Sequence, residues 1–505
     1  MALVDHLPVL PVVVPLISAP ACVLLPKGRL PWLFATLVSW ATFALAATLL
    51  GVVMQEGVIT YYLGGWSAPL GIVYRIDLAT AIVMALVSGM AAVVFPYARA
   101  SVLKEVGRDQ TPAFYGAFLI CLTGLIGVVA TGDAFNVFVF LEISSLSTYA
   151  LVAMGARQDR RALTAAFTYL VLGTIGATFF VIGLGLLYQM TGTLNMLDLH
   201  AKLAGQDNKV VRAAFAFIVT GLGLKLAMFP LHRWLPNAYT YAPSAVTAFL
   251  ASTATKVAVY AMLRFLFTIV GFSAPFTEVA LGLFLVLGLA GMFVASLIAV
   301  FRDDVKQMLA FSSVAQIGYM LLGISFATEA GVAAALTHVV NHALMKASLF
   351  LAVGCVYYAI GSHRLSDYRG IGRTMPFTAA CFIIGGLSLI GVPLTAGFVS
   401  KFVLIEAALG ATLAVPSLLI VLLIVASSLL AVAYIGRVAY EMFLADPPAG
   451  APAVQGRAVP LGMLIPMAVV TALNVYVGVD GEGLVALCTE AAQGLLALSF
   501  GGGAF

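Results

Sequence analysis

Long apolar runs constrain this chain more than any other feature. Residues 112–131 carry no charge and residues 277–300 carry one, and similar runs recur along most of the sequence. A segment of about twenty such residues matches the hydrocarbon thickness of a bilayer when helical, and a helix satisfies its own backbone polar groups there. Hydrophobic residues make up 62% of the chain and charged residues 9%, with a mean hydropathy of +1.09. A water-soluble domain of that composition would expose a very large apolar surface. Short alternating segments, the mark of a membrane β-barrel, are not the pattern here. The expected fold class is therefore all-α, a polytopic membrane protein with about fourteen transmembrane helices.

Breaks at charged or Pro/Gly-rich stretches place spans at about 7–25, 31–54, 76–97, 112–131, 133–155, 162–190, 210–230, 243–270, 277–300, 305–327, 330–360, 376–410, 414–444 and 459–479. Residues 55–75 read as an external loop with a strand-like Val58–Tyr62, and the tail after Asp480 is ambiguous. With the amino terminus outside, the loops on the cytoplasmic side hold Lys27, Arg29, Arg99, Lys104, Arg108, Arg157, Arg160, Arg161, Arg233, Arg302, Lys306, Arg364, Arg369, Arg373 and Arg457, against Arg75, Lys202, Lys209 and Arg212 opposite. This asymmetry puts both termini outside, most simply in a bacterial cytoplasmic (inner) membrane. Asp5 and His6 precede the first apolar run in place of a basic signal-peptide region, so that run reads as a retained span.

Two spans are interrupted. The seventh contains Pro230 and the twelfth contains Gly391-Val-Pro393 followed by Gly397. Proline frees carbonyls that lipid leaves unsatisfied, so such breaks belong where protein or water lines them. One break per half suggests two five-helix repeats, 112–230 and 277–410, inverted because each contains an odd number of spans. The remaining segments are then an amino-terminal three-helix unit (1–111), a connecting eighth helix (231–276) and carboxy-terminal helices with the tail (411–505).

Ionisable residues inside these spans are the candidate functional groups, because a charge at mid-bilayer is retained only if paired, hydrated or useful. Glu142 lies mid-span among apolar neighbours; its structural alternative is a static ion pair. Lys225 stands five residues before Pro230, where a long stem also allows snorkelling. Lys256 lies near the middle of its span. His338, His342 and Lys346 recur every four residues and share one side of a helix. A zinc site at the histidines lacks an acidic or cysteine ligand, and proton relay suits their near-neutral chemistry, with an inert hydrogen-bonded pair as the alternative. Lys401 follows Pro393 by eight residues, mirroring Lys225 across its own break. At an effective dielectric near 20, an ammonium and a carboxylate about 5 Å apart attract by on the order of 3 kcal/mol, enough for a moving Glu142 to load or expel a proton at Lys225. Lys256, the histidines and Lys401 would then pass it laterally.

The five cysteines are scattered and apolar in setting, which argues against disulfide, iron–sulfur and structural-zinc roles. No cofactor, metal, redox or hydrolytic motif of the chain's own is expected. A net charge of +4 with no dense basic cluster gives no sign of nucleic acid.

At these residues the sequence resembles the antiporter-like membrane subunits shared by Mrp-type Na⁺/H⁺ antiporters, respiratory NADH:quinone oxidoreductase and membrane-bound hydrogenases. The likeness runs over roughly 70–445 and rests on Phe135–Leu151, Gly223–Tyr260, Asp304–Gly323 and Asn341–Gly354. It implies fourteen helices, two inverted five-helix units each with a broken helix, and a lateral hydrophilic axis. By matching motif, Glu142 and Lys225 resemble the fifth- and seventh-helix pair, Lys256 the connecting lysine and Lys401 the terminal twelfth-helix residue, with His338 and His342 on the eleventh. Lys401, and Tyr239 and Tyr241 where many respiratory members place a histidine and an acid, favour the pattern of the D-type Mrp subunits. The expectation is a proton-translocating subunit of a monovalent cation/H⁺ antiporter, working with other integral membrane subunits and moving H⁺ in company with Na⁺ or K⁺. The alternatives are a proton-pumping subunit of a redox-driven complex and a non-transporting scaffold.

Overall fold

A computed structural model describes residues 6–271, 275–412, 415–446 and 459–497. Asp5 and Arg457 of the topology reading lie outside these residues. The protein is a helical membrane bundle. Its helices are α1 (Leu10–Val23), α2 (Arg29–Glu56), α3 (Leu78–Glu105), α4 (Thr111–Ala130), α5 (Ala134–Ala153), α6 (Arg161–Thr191), the short α7 (Met196–Leu203), α8 (Lys209–Leu226), α9 (Trp234–Tyr241), α10 (Ser244–Ser252) and α11 (Ala254–Leu263). They continue as α12 (Pro275–Val300), α13 (Val305–Ser325), α14 (Glu329–Ile360), the four-residue α15 (Ile371–Thr374), α16 (Pro376–Ile390), α17 (Ala396–Gly410), α18 (Ser417–Phe443), α19 (Leu461–Val479) and α20 (Glu482–Leu496). Among the described residues, eleven helices are long and apolar enough to cross a membrane, and α1 and α16 are shorter apolar helices. The strand-like Val58–Tyr62 becomes β1 (Ile59–Tyr62), paired antiparallel with β2 (Val73–Ile76).

Helix starts follow local chemistry. Asp77, Asp133, Asp304 and Thr328 each accept a hydrogen bond from a backbone N–H in the first turn of α3, α5, α13 and α14, satisfying donors that a helix leaves free. Close helix pairs depend on glycine. A Cβ on Gly221 of α8 would sit 2.5 Å from the Gly176 carbonyl of α6, and one on Gly318 of α13 would sit 2.5 Å from the Gly288 carbonyl of α12. Lipid supplies no hydrophobic drive between helices, so small residues that let backbones approach are what holds such pairs.

Three elements differ from the reading of the sequence. The seventh span does not end at Pro230: after a non-helical turn over residues 227–233 that carries Arg233, the helix resumes at Trp234 as α9. The eighth span is itself broken at Thr253, whose φ/ψ of −129°/−58° separates α10 from α11, and its last turn, Arg264–Val270, is a π-helix. No proline or glycine marks the Thr253 break; a polar run, Ser252-Thr-Ala-Thr-Lys256, is its only trace in the sequence. Third, Lys306 is not a solvated loop lysine. It is 2% exposed, donates to the Ala242 carbonyl at 2.5 Å and lies in the field of Glu105.

The ambiguous tail forms α20, which packs along the amino-terminal half of α14, where Gln493 Nε2 donates to Glu329 Oε1 at 2.7 Å. α14 is the central helix, touched by α10, α13, α16, α17, α19 and α20. Nearly every residue from Gly331 to Val356 is buried. A helix covered on all sides places any charge it carries in protein interior.

Candidate functional site

The α8 break creates the first charged cluster. Ala227 adopts a left-handed conformation (φ 61°), strained for a residue with a Cβ, and Lys225 sits in the last turn before it. Its Nζ donates to Glu142 Oε1 at 2.9 Å and to Ser145 Oγ at 2.7 Å, both on α5. The Leu224 carbonyl at the break accepts from Ala227 N at 3.2 Å and from Trp234 Nε1 at 2.8 Å. The lysine side chain is 6% exposed and the carboxylate 23%, so the pair is enclosed on the lysine side and partly open beside Glu142.

The α16–α17 break builds a second cluster with different partners. Gly391 (φ 95°) and Leu394 (φ 69°) turn the chain, leaving the Leu389 and Ile390 carbonyls free. Lys401 fills them, donating to both at 2.9 Å and to Ser428 Oγ of α18 at 3.0 Å. Its ammonium also lies 4.8 Å from the ring centre of Tyr319. Among the described residues no carboxylate pairs with Lys401, so the mirror of Lys225 holds for the break and not for the acid.

Between the two stand α11 and α14. Lys256 is fully buried and its Nζ turns back to the Ala251 carbonyl across the Thr253 break. His338 Nδ1 and Ser400 Oγ of α17 are 2.9 Å apart. The His338 and His342 rings are nearly parallel with centroids 5.9 Å apart, and Asn341 Nδ2 between them donates to the Ala396 carbonyl at the α17 break. Lys346 Nζ donates to Ser312 Oγ at 2.5 Å and the Leu309 carbonyl at 2.9 Å. α11, which carries Lys256, also packs against α14. The spaced α14 residues therefore share a side facing α11, α13 and α17.

A tyrosine series connects the first cluster to Lys256. Tyr149 and Tyr169 pack edge to face with centroids 4.7 Å apart, and Tyr169 stacks on Trp234 at 3.9 Å. Tyr239 Oη donates to the Leu250 carbonyl at 3.1 Å and faces the Thr255 hydroxyl beside Lys256. All seven sequence-derived candidates lie on α5, α8, α11, α14 and α17, and all but the partly open Glu142 are buried. Reading the sequence missed Tyr319, Ser400 and Ser428, which are ordinary residues until the fold turns them onto the charged groups. It also missed Arg264, a charge inside an apolar span that a charge census would have found.

A family model described as NADH:quinone oxidoreductase/Mrp antiporter, transmembrane, matches residues 131–430. The chain belongs to this family. Among curated relatives, it is 40% identical over 498 residues to the N subunit of NADH-quinone oxidoreductase from Desulforudis audaxviator, covering 95% of this chain and 97% of that one. It is 32% identical over 408 residues to the D-type subunit of the Na⁺/H⁺ antiporter from Alkalihalophilus pseudofirmus, covering 80% and 81%. Among solved structures, a chain of the membrane-bound sulfane sulfur reductase, an archaeal respiratory membrane complex, aligns with a TM-score of 0.87 at 29% identity over 98% of this chain and 99% of that one. A chain of the Mrp complex from Dietzia sp. aligns with a TM-score of 0.87 at 27% identity, covering 98% of each. The matched region of this antiporter-type family spans the charged residues of both clusters and those of α11 and α14, from Glu142 to Lys401.

Proposed function

We propose that this family member is a proton-translocating subunit of a multi-subunit monovalent cation/H⁺ antiporter, carrying H⁺ along the route Glu142–Lys225–Lys256–His338/His342/Lys346–Lys401. The observation that carries the proposal is the Glu142–Lys225 pair at a broken helix, continued by amines and imidazoles held in protein interior with no acid of their own among the described residues. A scaffold gains nothing from three buried lysines that lack a carboxylate. Both nitrogens of His342, Nε2 of His338, and Oδ1 of Asn341 have no hydrogen-bond partner among the described residues; buried polar atoms of this kind are satisfied by internal water, which is the medium proton hopping requires.

In this mechanism Glu142 and Lys225 attract strongly when together, and separation of the pair releases the lysine's proton toward Lys256. Tyr149, Tyr169 and Tyr239 line the first part of that passage. Lys401 is the terminal acceptor, and its backbone carbonyl partners stabilise the charged form. The units 112–230 and 277–410 act as inverted halves, each with one interrupted helix and one adjoining lysine. Counting α1 and the two interrupted pairs with the eleven long helices gives fourteen crossings, with both termini outside the cytoplasmic membrane.

A second reading, proton pumping driven by redox chemistry in partner subunits, is favoured by the 40% identity to a NADH-quinone oxidoreductase subunit. Purification of the complex and identification of its other subunits separates the two. Transport itself is tested by Glu142→Gln and Lys225→Ala in vesicles of the assembled complex. Cation-dependent proton exchange should fall by about tenfold or more; unchanged exchange with normal assembly makes the chain a scaffold.

A further inference from the structure

One buried ion pair plays no part in the lateral route. Asp77 caps α3 at the end nearest the β1–β2 hairpin and is 8% exposed; Arg264, in the π-helical turn after α11, is 6% exposed. Arg264 Nη2 donates to Asp77 Oδ1 and to Thr80 Oγ1, and Nε donates to Tyr260 Oη at 2.8 Å. Thr80 holds the carboxylate from N and Oγ1, both at 3.0 Å. Tyr260 Oη is 2.8 Å from Thr80 Oγ1 and 3.0 Å from the Val129 carbonyl. Lys256, Tyr260, Arg264 and Thr268 follow one another at four-residue spacing, so they form a polar column on one side of the helix leading away from the lateral route. The column ends at a cavity of about 30 Å³ lined by Arg75, Thr131, Asn195, Tyr260, Arg264 and Thr268, room for one or two waters.

We propose that this column joins Lys256 to the aqueous face on the hairpin side, with Asp77 as the group that receives and releases the proton and its contact with Arg264 as the closure. The inference rests on the proton-carrying reading of Lys256. The Lys256 side chain first swings from the Ala251 carbonyl one turn along the helix to the Tyr260 hydroxyl; its ammonium then gives up a proton, becoming a neutral amine, and the proton crosses the hydroxyls of Tyr260 and Thr80 to the Asp77 carboxylate, which becomes a carboxylic acid. Neutral Asp77 no longer attracts the guanidinium, which stays charged and turns toward the cavity it already lines. Loss of the proton to cavity water restores the pair and shuts the column. Nothing about tying α3 to α11 requires charge, because a buried ion pair is often replaceable by uncharged groups at little cost in stability.

The test is exchange by the full complex in vesicles. The double variant D77N/R264Q keeps a capping oxygen and a hydrogen bond between the two helices without charge. It should assemble normally and lower the initial rate by about tenfold or more; assembly with a normal rate overturns the proposal. Should the double variant fail to assemble, Y260F decides, since it removes a single bridging oxygen: a rate about fivefold lower is expected, and an unaltered rate overturns the proposal. K256A in the same assay separates the two levels. Normal transport by K256A rejects the lateral route, whereas inactive K256A with active D77N/R264Q rejects only the column.

Discussion

Lys225 and Lys401 face the same desolvation cost and meet it differently. Lys225 is held by a carboxylate and a hydroxyl; Lys401 is held by two carbonyls that its own helix break sets free, one hydroxyl and an aromatic face. Removal of each amine should therefore have different consequences. Lys225→Ala leaves an unpaired carboxylate, though Glu142 is open enough to keep some hydration, so exchange should be lost with modest change in thermal stability. Lys401→Met strands the Leu389 and Ile390 carbonyls in the interior. An unsatisfied buried polar group costs about 1–3 kcal/mol, so this variant should lose both exchange and several degrees of melting temperature. Equal melting temperatures for the two variants would contradict this account of how the amines are held.

Broken helices persist only where something replaces the missing backbone bonds. At the α8 break Trp234 shares the Leu224 carbonyl with Ala227 N, so Trp234→Phe should destabilise the complex by about 1 kcal/mol, read as a lower melting temperature while the charged groups remain intact. At the α16–α17 break the two halves meet over Gly397, where a Cβ would come within 1.7 Å of the Ser388 carbonyl. Gly397→Ala must displace backbone, at a cost of about 1–3 kcal/mol, and should lower yield and exchange together. The loop after α14 carries a pH response. His363 stacks on Tyr357 at 4.3 Å, its carbonyl accepts from Val305 N, and burial together with the Lys306 ammonium holds it well below its ordinary value of 6.5. The folded loop refuses a proton that the opened loop accepts. Its stability is complete above about pH 6.5 and declines as pH falls below that value. Hydrogen exchange at residues 361–370, corrected for intrinsic rate, should be faster at about pH 5.5 than at about pH 7.5, and His363→Gln should abolish the difference.

Across the whole molecule, the proposed route passes through α14, a helix surrounded by others and so removed from lipid along most of its length. The periphery is the reverse: α6, α12 and α18 expose residues such as Phe167, Val286 and Leu422, as lipid-facing or subunit-facing surfaces do. Glu142 is the most exposed member of the proposed route, with 23% of its side chain accessible. A partner subunit covering α5 should therefore alter the accessibility of Glu142, so a water-soluble carbodiimide should modify it less in the assembled complex than in the isolated chain.

Apolar run length was enough to identify a membrane-spanning helical protein, because lipid leaves a helix few alternatives. Buried charges and two prolines were enough to nominate Glu142, Lys225, Lys256, His338, His342, Lys346 and Lys401, because a charge in an apolar run is costly wherever the chain goes. What each group touches depended on tertiary structure. The Thr253 break, the burial of Lys306, the acid-free setting of Lys401 and the Asp77–Arg264 pair, whose partners are 187 residues apart, arise where distant segments meet. A one-dimensional pattern records what a residue costs to bury; only packing in three dimensions supplies the groups that compensate it.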